Sequence, residues 1–291
     1  MEKHLLVTVS GDKSALHGAR FVSDFFTNKD NIKLTLFYTA ARPLKGDKEM
    51  PGYEALAEID KQAKQREKKG RAATAQAKTF MAQKGFPEKN IHTKFKFRSY
   101  STAVDIILEG EEGLFDSVVL GCRGLTWLES LVEDSVTREL MRIKFTLPFW
   151  ICRYPEKDRK HVLLCVDDST PAMRMVDHVG FMLADEPSHD ITLLNIYDPG
   201  SEDRMFAETV FEQSRTILED HGVAPERIKP KIVESRQIAK TILHRANTDK
   251  YAVVALGRTG EDRGFWRKIF MGSVSGALFK ELSGAALWIC H

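Results

Sequence analysis

This sequence predicts an α/β protein made of two tandem copies of one unit, each a five-stranded parallel sheet with helices on both faces, and three observations carry the prediction. The first is that the chain repeats itself. HLLVTVSGDKSA (4–15) aligns with HVLLCVDDSTPA (161–172), KLTLFYTA (33–40) with DITLLNIY (190–197), and SVVLGCRG (117–124) with AVVALGRTG (252–260). The second is that, within each copy, short apolar runs alternate with helical patterns, which implies right-handed crossovers and a parallel sheet. The third is that both copies close on Trp-Ile-Cys, at 150–152 and 288–290. The boundary therefore falls in the charged, proline-containing stretch 153–160, giving domains 1–156 and 157–291.

In the first copy the runs at 4–9, 33–39, 91–97, 117–120 and 147–152 read as strands, since continuous apolar runs of this length suit a sheet covered on both faces. A long helix is expected over 53–84, densely charged around KQAKQREKKGR. Glu54, Glu58, Asp60 and Glu67 are interleaved with the cations, and no aromatic residue sits among them to stack on a base. The segment reads as a solvated helix face and not as a nucleic-acid patch.

In the second copy the strands are expected at 161–166, 190–197, 228–233, 252–256 and 285–290. Helical spacing marks 173–183, 206–218 and 238–246, with Ser235 as the expected N-cap of the last. After the fourth strand come Gly257 and Gly260, and Gly272-Ser273-Val274-Ser275 opens another helical segment. Glycine lets a ligand come close to the backbone, and the first amides of a helix are unpaired and carry the positive end of its dipole, so the layout suits an anion. Ordinary turn and N-cap chemistry uses the same residues. The nucleotide loop ending in Gly-Lys-Ser or Gly-Lys-Thr, the dinucleotide fingerprint and the nucleophile elbow are all absent.

Composition narrows the partners. Lys plus Arg number 43 against 41 for Asp plus Glu, so no bulk positive field points to nucleic acid and no acidic excess to disorder. No apolar run is long enough to span a bilayer, and the N-terminus passes directly into a strand, so a cytoplasmic protein without membrane attachment is expected. Cys122, Cys152, Cys165 and Cys290 form no C-x-x-C pair, which argues against a disulfide framework and a zinc ribbon. The histidines include no H-E-x-x-H run, and His178 and His244 stand alone in helical segments. Cys122 lies in the first glycine loop, where a redox-sensing role and a structural one both fit.

Two repeats, each with Gly-x-x-Gly followed by a helix start and a terminal strand, resemble the universal stress protein family in its tandem form, over essentially the whole chain. The resemblance implies a flavodoxin-like (adenine nucleotide alpha hydrolase-like) fold for each repeat and, in the second, a site for ATP or AMP, with Mg²⁺ as a companion of the triphosphate. It implies that Asp167 takes the place of the acidic residue closing the first strand and Ile196 that of the apolar residue against adenine. Gly257, Arg258, Gly260, Gly272, Ser273, Val274 and Ser275 fall in the phosphate signature. Eleven residues separate Gly260 from Gly272, slightly more than the family pattern.

In the first repeat Ser10 stands in the place of Asp167, and Asp134-Ser135-Val136-Thr137 replaces the glycine-serine run, so an aspartate faces the place of a phosphate. The first repeat is expected to be a partner without a site. The implied role is stress response or signalling, through ligand-biased conformation or through binding a second copy or a signalling protein. The alternatives are a slow ATPase or related nucleotide-processing enzyme, and a nucleotide-free scaffold. Trp127, Phe265 and Trp266 follow the glycine turns, where they suit a lid, a subunit contact or a core.

Overall fold

The computed structural model describes residues 1–11, 16–43, 52–121, 147–199, 204–258 and 274–291. In the first repeat β1 (Lys3–Thr8), α1 (Leu16–Phe25), β2 (Ile32–Ala40), α2 (Gly52–Gln83), β3 (Ile91–Phe97), α3 (Thr102–Glu112), β4 (Ser117–Gly121) and β5 (Phe149–Cys152) follow one another. The second repeat contributes β6 (Lys160–Cys165), α4 (Thr170–Leu183), β7 (Ile191–Tyr197), α5 (Arg204–Asp220), β8 (Ile228–Glu234), α6 (Ile238–Thr248), β9 (Tyr251–Gly257), α7 (Val274–Glu281) and β10 (Ala286–Cys290).

The ten strands of the described residues form one sheet, in the order β3-β2-β1-β4-β5-β10-β9-β6-β7-β8. Pairing inside each repeat is parallel, and the two five-stranded halves join where β5 meets β10 antiparallel. The central strands are apolar on both faces because helices cover both: Leu5, Leu6 and Val7 of β1 and Val162, Leu163 and Leu164 of β6 are fully buried. The outermost strands carry Lys94 and Lys96 on β3 and Lys229, Pro230 and Lys231 on β8, residues that discourage pairing with another chain.

The seam places the two Trp-Ile-Cys closures against each other. Trp150 is paired directly with Trp288, their rings stacked at 4.1 Å and 4° apart. Phe21 of α1 stands edge-on to both rings from one side and His178 of α4 packs beside both from the other. Trp150 Nε1 donates to His178 Nε2 at 3.0 Å, and full burial pushes the imidazole pKa down to about 3, so the ring accepts as a neutral group. The repeat alignment that pairs Ala15 with Ala172 pairs Phe21 with His178. A phenyl ring accepts no such bond, and among the described residues Trp288 Nε1 is buried without a hydrogen-bond partner.

A polar tie lies beside the seam. Glu186, with no exposed surface, accepts from Thr27 N at 2.9 Å, from Asn28 N at 3.0 Å and from the Thr27 hydroxyl. Arg227 holds the same turn through the carbonyls of Leu183 and Glu186.

Expected helix α2 forms with its charged face in solvent, bearing the pairs Lys61–Glu58 and Arg71–Glu67, while Ala77 and Met81 are buried. Gly70 is required there, since a Cβ would lie 2.5 Å from the Phe95 ring. The expected cap at Ser235 is corrected: α6 starts from Gln237, and the Ser235 hydroxyl accepts instead from Gln237 N at 3.0 Å and from Thr241 Oγ1 at 2.8 Å. Its local turn wins over direct capping of the helix.

Candidate functional site

In an open parallel sheet, ligands lie beyond the carboxyl ends of strands where crossovers depart in opposite directions. In the second repeat that point falls between β6 and β9, which pair up to Cys165 and Leu256. Two residues further along each strand stand Asp167 and Arg258, at the same end of the sheet.

Asp167 is shaped by the residues that follow it. Its Oδ1 accepts from Ser169 N at 3.0 Å and from the Ser169 hydroxyl in a short bond. Burial pushes its pKa up to about 6, a rise that the two Ser169 bonds oppose. Asp168 is exposed, and its charge adds to the rise at Asp167. Ser169 is also the N-cap of α4, accepting from Ala172 N at 3.3 Å, with Pro171 in the first turn where its missing N–H costs nothing.

Gly257 closes β9 against the start of the same helix. A Cβ there would lie 2.2 Å from Ala172 N and from the Pro171 carbonyl carbon. The absent side chain expected to admit a ligand thus already admits the helix. Next to it, Arg258 N donates to Cys290 O at 2.7 Å, and desolvation lowers the guanidinium pKa. Cys290 Sγ donates to Pro171 O at 3.1 Å, so β9, β10 and α4 are locked together at this end.

Ile196 is buried in an apolar cluster with Leu194, Val254, Leu256 and Val274. Val274 starts α7, with Ser275 half-buried behind it. Asp167 and Arg258 thus follow the ends of two paired strands, and Ile196 and Val274 share one apolar cluster. Gly260, Gly272 and Ser273 lie outside the described residues, as do Cys122, Trp127, Asp134, Phe265 and Trp266.

The first repeat keeps the backbone frame and changes the chemistry. Val9 N donates to Phe37 O as Val166 N donates to Leu194 O, both at matching strand ends. Ser10 follows where Asp167 stands, and Thr39 takes the place of Ile196 with a buried Oγ1 that has no partner among the described residues.

Among the described residues no group of three or more His, Cys, Asp or Glu could hold a metal ion, and no helix is long and apolar enough to cross a membrane. Cys152, Cys165 and Cys290 are buried, with the thiols of Cys165 and Cys290 pushed up to about 12. Thiols held protonated by burial are unreactive core groups. Ser169 is the site residue that the sequence reading passed over. Its signal was a hydroxyl residue two positions before a proline, a common helix opening.

The family model described as the universal stress protein family matches residues 1–153 and 158–284. A crystal structure of a universal stress protein from Archaeoglobus fulgidus DSM 4304 superposes with a TM-score of 0.67 at 14% identity, covering 99% of this chain and 97% of that one. A functionally unknown protein from Pseudomonas aeruginosa PAO1 gives 0.53 at 13% identity, covering 99% of this chain and 92% of that one. A putative universal stress protein from Pseudomonas aeruginosa UCBPP-PA14 gives 0.52 at 12% identity, covering 99% and 93%. At these identities the likeness is one of fold. No match was found among curated proteins.

Proposed function

Because the chain belongs to the universal stress protein family, we propose that it binds an adenine nucleotide, AMP or ATP, in its second repeat and acts in stress response or signalling through the conformation or partner that the bound nucleotide favours. The observation that supports this most is the placing of a partly buried carboxylate, Asp167, and a desolvated guanidinium, Arg258, at adjacent strand ends. One supplies an acceptor for nucleoside hydroxyls and the other a cation for phosphate. Val274 at the start of α7 and Ile196, in one apolar cluster, would bound the place of the base. Gly260, Gly272 and Ser273 would complete the phosphate contacts as the family signature has them, and Mg²⁺ would accompany ATP through the triphosphate. No group is assigned to hydrolysis.

The reading is tested by heating purified protein and identifying what is released by mass spectrometry. Stoichiometric AMP or ATP is expected. Protein that releases no nucleotide, and binds none on titration, would contradict it.

A further inference from the structure

Asp167 does not present both of its oxygens alike. Oδ1 accepts twice from Ser169, through the backbone amide at 3.0 Å and through the hydroxyl, and among the described residues Oδ2 has no hydrogen-bond partner. The Ser169 hydroxyl is itself held, because its oxygen accepts from Ala172 N at 3.3 Å as the N-cap of α4. That leaves its proton to point at Asp167. The start of α4 in turn cannot shift toward the sheet, since Pro171 and Ala172 already fill the space where a Gly257 side chain would be, and Pro171 O receives Cys290 Sγ. Ser169 is therefore a fixed donor on a fixed helix end, aimed at one oxygen of a carboxylate whose surroundings favour protonation.

From this geometry we infer that Ser169 is a positioning residue for nucleotide binding, which holds Asp167 as a carboxylate and turns Oδ2 outward as the oxygen that receives the ligand. The inference rests on the nucleotide reading given above. A hydroxyl bond to a charged acceptor favours the charged form, and Ser169 opposes the upward push of burial on Asp167. Removing the hydroxyl should move the titration of Asp167 upward, toward neutral pH, where the protonated acid no longer accepts through both oxygens.

The test has two arms on the full chain. In the first, the carboxyl carbon of Asp167 is followed by NMR from pH 4 to 8 without ligand. Ser169→Ala should titrate about one pH unit higher than wild type, and Ser169→Thr, which keeps hydroxyl and cap, should match wild type. In the second, AMP affinity is measured by calorimetry over the same range. Ser169→Ala should lose about tenfold near pH 5 and only about twofold near pH 7, its acid limb displaced upward, while Ser169→Thr stays within about twofold of wild type throughout. An unmoved Asp167 titration in Ser169→Ala overturns the inference, as does an affinity loss that is the same at every pH. If wild type binds no AMP, the functional reading fails, and the ligand-free NMR arm still decides the role of Ser169.

Discussion

At Asp167 the requirements of stability and of binding pull apart. Its pKa is raised from 3.8 to about 6 by burial, so the folded state favours the protonated acid. The stability this contributes is fully present below about 3.8 and is lost as pH rises through about 6, which means that at neutral pH the ionised group is a cost to the fold. Asp167→Asn keeps the acceptor for Ser169 and removes the charge. It should raise stability by about 1–2 kcal/mol at pH 7.5 in urea unfolding, after allowance for partial solvent access, with the gain vanishing toward pH 4. The same variant should lose at least about tenfold in AMP affinity. A variant that is less stable at pH 7.5 would show that the carboxylate holds the structure together and is not kept at a cost for a ligand.

Among the secondary-structure elements, the junction of β9 with α4 is the least tolerant. Gly257→Ala places a methyl group 2.2 Å from backbone atoms of Pro171 and Ala172, which have no rotamer to relieve the clash. The helix start must move, at a cost of about 1–3 kcal/mol, readable as a lower urea midpoint. An unaltered midpoint would return Gly257 to a purely ligand-facing role. Elements of this kind were largely legible in the sequence, because runs such as 252–256 and 117–120 are apolar on both faces and only a covered parallel strand needs that. The cap of α6 was less so, since a serine hydroxyl before a helix serves a local turn as readily as a cap, and here Ser235 accepts from Gln237 N and Thr241 Oγ1. Asp167 and Ile196 were implied by the resemblance to the family, whereas Ser169 acquires its role only once Asp167 has turned toward it. The second use of Gly257 depends on a helix 86 positions earlier in the chain, a distance that no local pattern encodes.

For the molecule as a whole, the repeat in the sequence becomes an approximate two-fold arrangement around the β5–β10 seam, and the departures from symmetry carry the information. Trp150 has His178 as acceptor, while Trp288 faces Phe21 and keeps a buried, unpaired N–H. Phe21→His should supply the missing acceptor and raise stability by about 1 kcal/mol, and His178→Phe should lower it by about 1–3 kcal/mol by leaving a second indole unpaired. Equal effects of either sign from both substitutions would mean that the indole bonds do not govern the seam. A second asymmetry concerns the ligand. Both repeats share one backbone frame, yet Ser10, Thr39 and Asp134 replace Asp167, Ile196 and Gly272, exchanging an acceptor, an apolar contact and a glycine for groups unsuited to a nucleotide. Losing two or more hydrogen bonds to charged groups lowers affinity by about 100-fold or more, so the first repeat should stay empty at micromolar nucleotide. Isothermal titration of the full chain with AMP measures this most directly, with Gly272→Asp, which copies the residue at 134, as the companion variant. The account predicts one AMP per wild-type chain and no measurable binding by folded Gly272→Asp; two equivalent AMP molecules per chain, or undiminished binding by that variant, would contradict it.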